Sequence, residues 1–167
     1  MKTPFPSPPS NLPEGTVGFG GPIPWFSISL SITADDLDPD RITRLLGVAP
    51  DVAERREVAV ANGRRIASFG RWSIGLRREQ VDEGDVGVAI GLLLDRVPAP
   101  TDAWEQACAD TKARVFVGLH LDDFNRGFDL PIELMRRLSD RGLRLDFDIY
   151  WNDQDKTNEP MKRADHD

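Results

Sequence analysis

The stretch Phe26-Ser27-Ile28-Ser29-Leu30-Ser31-Ile32 alternates apolar and serine side chains without a fault. Period two places every apolar residue on one face of a strand and every serine on the other. A parallel strand covered on both sides would be apolar throughout, so this one belongs to an antiparallel or mixed sheet with one buried and one polar face. Order is expected to begin at Trp25. Residues 1–24 hold seven of the 13 prolines and four glycines, which predicts an extended or disordered arm poor in backbone donors. Pro6-Ser7-Pro8-Pro9 fits a polyproline II ligand, a simple arm being the alternative.

Asp38-Pro39 reads as an N-cap followed by proline at the first helical position. Ile42, Leu45 and Leu46 supply the apolar stripe, Gly47 stops the helix, and Pro50 forbids its continuation. The region from Asp51 to Glu79 is less regular. Asn62-Gly63 is a hairpin turn signal between Val58-Ala59-Val60 and Arg65-Ile66-Ala67, and Trp72, Ile74 and Leu76 mark a second alternation. Val86, Ile90, Leu93, Leu94 and Val97 predict a helix broken by Pro98 and Pro100. Thr101 or Asp102 then caps a further helical turn through Trp104, Ala107 and Cys108; one bent helix and two separate ones both fit.

The last third is regular again. Val115, Val117, Leu119 and Leu121 predict a strand; Ile132, Leu134, Met135 and Leu138 line a helix that starts after Pro131 and stops at Gly142. Leu145, Phe147, Ile149 and Trp151 alternate with Arg144, Asp146, Asp148 and Tyr150 in a final strand. Residues 153–167 read as a charged, solvated tail, leaving a single domain over 25–152. A strand leading into a proline-started, glycine-stopped helix thus occurs twice, near each end. Such a duplication is one route to a ferredoxin-like, split βαβ arrangement. The expected fold is α+β: a mostly antiparallel sheet of about five strands with helices packed on one face. Its predicted core is Phe26, Ile28, Leu30, Ile32, Ile42, Leu45, Leu46, Val117, Leu119, Leu134, Leu138, Phe147 and Ile149.

Several of these segments resemble a known family. Leu37-Asp38-Pro39-Asp40-Arg41-Ile42-Thr43-Arg44-Leu45-Leu46-Gly47, then Trp72-Ser73, then Leu130-Pro131 through Leu138, then Leu145-Asp146-Phe147-Asp148-Ile149-Tyr150 look like the bacterial family called domain of unknown function 4279. The resemblance spans roughly residues 25–152 and departs at Asp51 to Phe69, which is richer in arginine. It implies a small bacterial α+β protein and, as the family's name says, no assigned activity.

Charge narrows the partners. The chain carries a net charge of -7 and a pI near 4.9, which opposes nucleic acid and suits either solubility or a basic protein partner. A single cysteine, Cys108, excludes an internal disulfide and reads as a buried, inert thiol. No segment approaches the roughly 20 apolar residues that span a bilayer, and no signal-peptide pattern opens the chain, so a cytoplasmic protein is expected.

Catalytic motifs are missing: there is no Gly-x-Ser-x-Gly elbow, and Gly18-Phe19-Gly20-Gly21 precedes a strand where a phosphate cradle needs a helix. No catalytic residue, cofactor or metal is assigned. Asp146 and Asp148, at i and i+2, project from one sheet face, and with His120, Asp122 and Asp123 are candidate oxygen-rich metal ligands or an acid/base pair; a solvated polar face paired with arginine is the alternative. Residues 54–79 carry seven arginines against three glutamates. Arg71 and Arg77 among them are candidate contacts to a partner or anionic ligand, edge-strand protection being the alternative. Three functional readings stand: a non-enzymatic protein-binding module, with an acidic immunity protein that neutralises a basic toxin as its sharpest form; a small metal-dependent enzyme or ligand-binding protein using His120, Asp122, Asp146 and Asp148; and an adaptor recruited through the proline-rich arm of residues 1–24.

Overall fold

A computed structural model describes residues 21–60, 63–76, 85–121 and 125–151. The polyproline segment, most of the expected arm and the charged tail lie outside these residues. Strand β1 (Trp25–Ala34) begins where the alternation begins and leads into helix α1 (Pro39–Leu46). Asp38 caps α1 by accepting from the Asp40 N–H at 3.1 Å, Pro39 opens it, and Gly47 closes it at φ 70°. That left-handed conformation costs an L side chain what glycine avoids. Next come short strand β2 (Val52–Glu54), the hairpin strands β3 (Ala59–Val60) and β4 (Arg65–Ile66) around the Gly63 turn, and β5 (Gly70–Gly75).

The apolar run after Asp85 resolves into two helices, α2 (Val86–Asp95) and α3 (Thr101–Cys108), because Pro98 and Pro100 interrupt the backbone hydrogen bonding between them. The expected cap at Thr101 or Asp102 is replaced by Pro100, whose carbonyl takes the Ala103 and Trp104 amides at 3.1 and 3.2 Å with no side-chain cap. Strand β6 (Lys112–Leu121), helix α4 (Ile132–Ser139) and strand β7 (Arg144–Trp151) complete the described chain.

The main sheet has five strands in the order β2-β5-β1-β6-β7. β1 pairs antiparallel with both β5 and β6, and β2 pairs antiparallel with β5. β1 and β2 therefore run parallel with β5 between them, and β5 and β6 run parallel with β1 between them. β7 adds at the far side, parallel to β6 and adjacent to it. The two copies of the strand–helix unit supply the central pair β1 and β6, but their crossovers differ: α1 carries the chain past one strand, α4 to the next.

This is the α+β, mostly antiparallel architecture expected, with a core between the sheet and the four helices described. Ile28, Leu30 and Ile32 of β1, Trp72 and Ile74 of β5, and Val115, Val117 and Leu119 of β6 meet Ile42 and Leu46 of α1, Ile90, Leu93 and Leu94 of α2, Trp104 of α3, and Leu134 and Leu138 of α4. Phe26 and Leu45 are only partly buried against this cluster. Phe147 and Ile149 are not core residues: they remain 39% and 61% exposed. They do lie on a strand, as their alternation predicts, but β7 is the last strand in the sheet order and, among the described residues, the helix layer does not extend over its distal half. Of the apolar residues of β7, Leu145 packs against the core, and Phe147 meets the core-packed Phe128 with ring centroids 5.3 Å apart.

Candidate open-face binding site

With the helices on one side, the serine face of β1 looks outward, and the register sets what stands beside it. Trp25 lies opposite His120, and His120 opposite Tyr150. The three rings form a ladder across β1, β6 and β7, with Trp25 and His120 centroids 3.8 Å apart and His120 stacked on Tyr150 at 4.7 Å and 14°. Tyr150 donates its hydroxyl to Asp148 at 2.5 Å, and that hydrogen bond raises the phenol above its ordinary range.

Toward the other end of the face, Asp146 is held by three guanidinium nitrogens: Nε and Nη2 of Arg144 at 2.6 and 2.7 Å, and Nη1 of Arg114 at 2.9 Å. The Arg144 hydrogen bonds, reinforced by Arg114, keep the Asp146 carboxyl below the usual carboxylate range. A carboxylate with a depressed folded-state pKa stabilises the fold above the ordinary aspartate value near 3.9 and loses that contribution as pH falls through the lower, folded value. Urea unfolding of Asp146→Asn should therefore show lower stability than the parent at about pH 6, a gap that narrows as the pH falls below about 4. A gap that is constant across this range would mean that the substitution acts through packing.

Asp146 and Asp148 do share the open face, as the i, i+2 spacing required, yet each is committed elsewhere: Asp146 to arginines, Asp148 to a phenol. His120 is flanked by the Trp25 and Tyr150 rings. Asp122, Asp123 and Arg77 lie outside the described residues, and among the described residues no group of three or more His, Cys, Asp or Glu side chains is arranged to hold a metal ion. Cys108 is half-buried, donates to the Arg141 carbonyl at 3.3 Å, and has its thiol pKa pushed up by burial, which disfavours the reactive thiolate.

Three arginines of the arginine-rich stretch are paired. Arg55 meets Asp38 at 2.6 Å and Asp40 at 2.5 Å, Arg56 meets Asp36 at 3.5 Å, and Arg65 meets Glu54 at 2.7 Å. These contacts tie the β2–β4 region to the α1 entry and neutralise Arg55, Arg56 and Arg65. Arg71 is different: it stands on the open face opposite Thr33, which is opposite Lys112 in turn. One step along, Ser73, Ser31 and Arg114 form the next row, and Arg144 pairs with Arg114. Beside these rows opens a cleft of about 840 Å³ lined by Thr33, Phe69, Lys112, Arg114 and Arg144 together with Asp35, Asp36 and Asp110. Sequence reasoning found Arg71 but missed Ser31, Thr33, Lys112 and Arg114. Their alternation was visible, while the antiparallel register that brings them together was not.

No described helix is long and apolar enough to cross a membrane. No curated protein and no solved structure matches the chain. The sequence profile of the family described as Domain of unknown function (DUF4279) matches residues 24–152, the span from the start of β1 to the end of β7, and the chain belongs to that family.

Proposed function

We propose that this protein is a non-enzymatic protein-binding module that takes up an extended basic segment of a partner along β7. The edge itself carries the reading. β7 is an eight-residue strand with β6 as its sheet neighbour, and Phe147, Ile149, Tyr150 and Trp151 are between 39% and 61% exposed on it. The free N–H and C=O groups of an edge template another strand, and natural edges are guarded by lysine, proline, bulges or brevity. From Leu145 to Trp151 there is no lysine or proline, and Asp146 is already neutralised by two arginines.

An incoming strand would lay apolar side chains beside Phe147 and Ile149 and a cation beside Asp148. The net charge of -7 steers a basic partner toward the chain. The sharpest form of the reading is an acidic immunity protein that covers a basic toxin in the cytoplasm; the single half-buried cysteine suits that compartment.

A short peptide alternating valine and lysine tests the edge. Saturable binding should perturb the amide resonances of β7 and disappear in Ile149→Lys, which plants a charge where the added strand needs an apolar contact. Equal binding by the valine–glutamate counterpart, or binding indifferent to Ile149→Lys, sinks the reading. A concentration-dependent dimer dissolved by Ile149→Lys would reassign the edge to a second copy. The immunity form fails if the product of the adjacent gene is neither bound nor inhibited.

A further inference from the structure

We propose that the cationic end of the open face, remote from the aromatic ladder, binds a small organic phosphate. Two rows across β5, β1 and β6 build it: Arg71–Thr33–Lys112 and Ser73–Ser31–Arg114. Directly opposed side chains in an antiparallel sheet have Cβ atoms about 5 Å apart, so one oxyanion placed over β1 is within reach of the Ser31 hydroxyl and of cations on both flanks, while the Thr33 hydroxyl already donates to the Lys112 carbonyl at 3.4 Å.

Two orphaned atoms mark the place. Ser31 is 4% exposed and its Oγ has no hydrogen-bond partner, and the Nε of Arg71 is buried without one. Buried polar atoms in native proteins are nearly always satisfied, so two orphans one residue step apart on the same sheet face require an explanation. Neither Arg71 nor Lys112 forms an ion pair among the described residues, although the chain has acid to spare. By contrast Ser73, Ser31's opposite neighbour, satisfies itself on the Leu30 carbonyl at 2.9 Å. The donors left over are the ones a phosphate takes: guanidinium and ammonium N–H groups and a hydroxyl.

The adjoining cleft defines the rest of the ligand. Its volume of about 840 Å³ lies within the range of roughly 300–1,000 Å³ typical of small-molecule pockets. Its lining sets Lys112, together with Arg114 and Arg144 that are already held on Asp146, against Asp35, Asp36 and Asp110, with Phe69 as an apolar wall. A polyanion would meet the carboxylates and be repelled. A ligand with one phosphate and a body of hydroxyl or amino donors satisfies both halves.

Glucosamine 6-phosphate, inorganic phosphate and glucosamine, titrated separately into the full chain by calorimetry and thermal shift, test the assignment. Glucosamine 6-phosphate should bind about tenfold more tightly than inorganic phosphate, and glucosamine alone should not bind. Lys112→Ala, at an exposed position, should weaken binding by about tenfold while leaving the unliganded melting temperature unchanged. Ser31→Ala should leave that temperature equal or higher, because it deletes an unsatisfied buried hydroxyl, yet reduce the phosphate-induced rise. No saturable binding by either phosphate compound overturns the proposal, as does binding that both variants leave intact. Equal affinity for the two phosphates overturns its organic half. None of these outcomes depends on the β7 edge, so the two assignments stand or fall separately.

Discussion

Replacing Trp72 with alanine should cost about 3–5 kcal/mol, the range for emptying a buried large aromatic site, and should be the most damaging core substitution in the sheet. Trp72 is completely buried on β5 and lies between the sheet and α1. It also carries a polar link: its indole Nε1 donates to Thr43 Oγ1 at 3.1 Å, while that hydroxyl donates to the Pro39 carbonyl at 2.9 Å. Deleting the ring leaves a cavity and strips the hydroxyl of its donor at the same time. With total stabilities of about 5–15 kcal/mol for domains of this kind, the variant should be close to unfolding at ambient temperature. Trp72→Phe keeps most of the apolar volume and loses the hydrogen bond, so its cost should be smaller, about 1–2 kcal/mol. Urea unfolding followed by circular dichroism checks the pair through the midpoint at constant slope. If Trp72→Ala costs less than about 1 kcal/mol, the site collapses around the loss and the ring does not anchor α1 to β5.

Gly70→Ala should be nearly as damaging, for a steric reason. A Cβ at this position would lie 2.4 Å from the Leu37 carbonyl oxygen and 2.8 Å from the Leu37 nitrogen. These are backbone atoms of the turn between β1 and α1, so no side-chain rotation relieves the clash. Gly70 is the first residue of β5, opposite Ala34 at the end of β1, and its N–H donates to the Asp35 carbonyl at 3.3 Å. Making room means lifting either the β1–α1 turn, with buried Leu37 in it, or the start of β5. Overpacking of this kind costs typically 1–3 kcal/mol and more where backbone must move, so a loss of about 3 kcal/mol is expected. Gly127→Ala serves as the control, since an added Cβ there meets nothing within 4 Å; similar losses in both variants would show that the effect is not the Leu37 contact.

How much of the molecule could be read along the chain is clearest from its two most regular strands. The alternation over Phe26 to Ile32 predicted β1 and its faces, and Ile28, Leu30 and Ile32 are buried while the serines face away from the helices. The equally clean alternation over Leu145 to Trp151 predicted β7 but misjudged its burial, because period two reports that a strand has two unlike faces and says nothing about whether helices cover the apolar one. Helix α1 was legible to its caps, since Asp38, Pro39 and Gly47 each act within a few residues of themselves. The start of α3 was not, because a backbone carbonyl at Pro100 does the work expected of a side chain. The candidate site divides in the same way. Asp146 and Asp148 share a face as their spacing demanded, but their partners Arg114 and Tyr150 depend on parallel pairing with β6 and on strand geometry, and the six residues of the phosphate rows come from three strands separated by up to 83 positions in the chain.

The sequence alone therefore determined the α+β class, the strand–helix unit stated twice, the capped α1 and the polar character of one sheet face. All of these follow from periodicities and caps that operate over a few residues. Tertiary structure alone decided that β7 ends the sheet, that Phe147 and Ile149 stay exposed, and that Arg71, Thr33 and Lys112 stand in one row. Strand order and register are set by non-local pairing and by which surface the helices cover, and a strand's own pattern is compatible with more than one choice of neighbour.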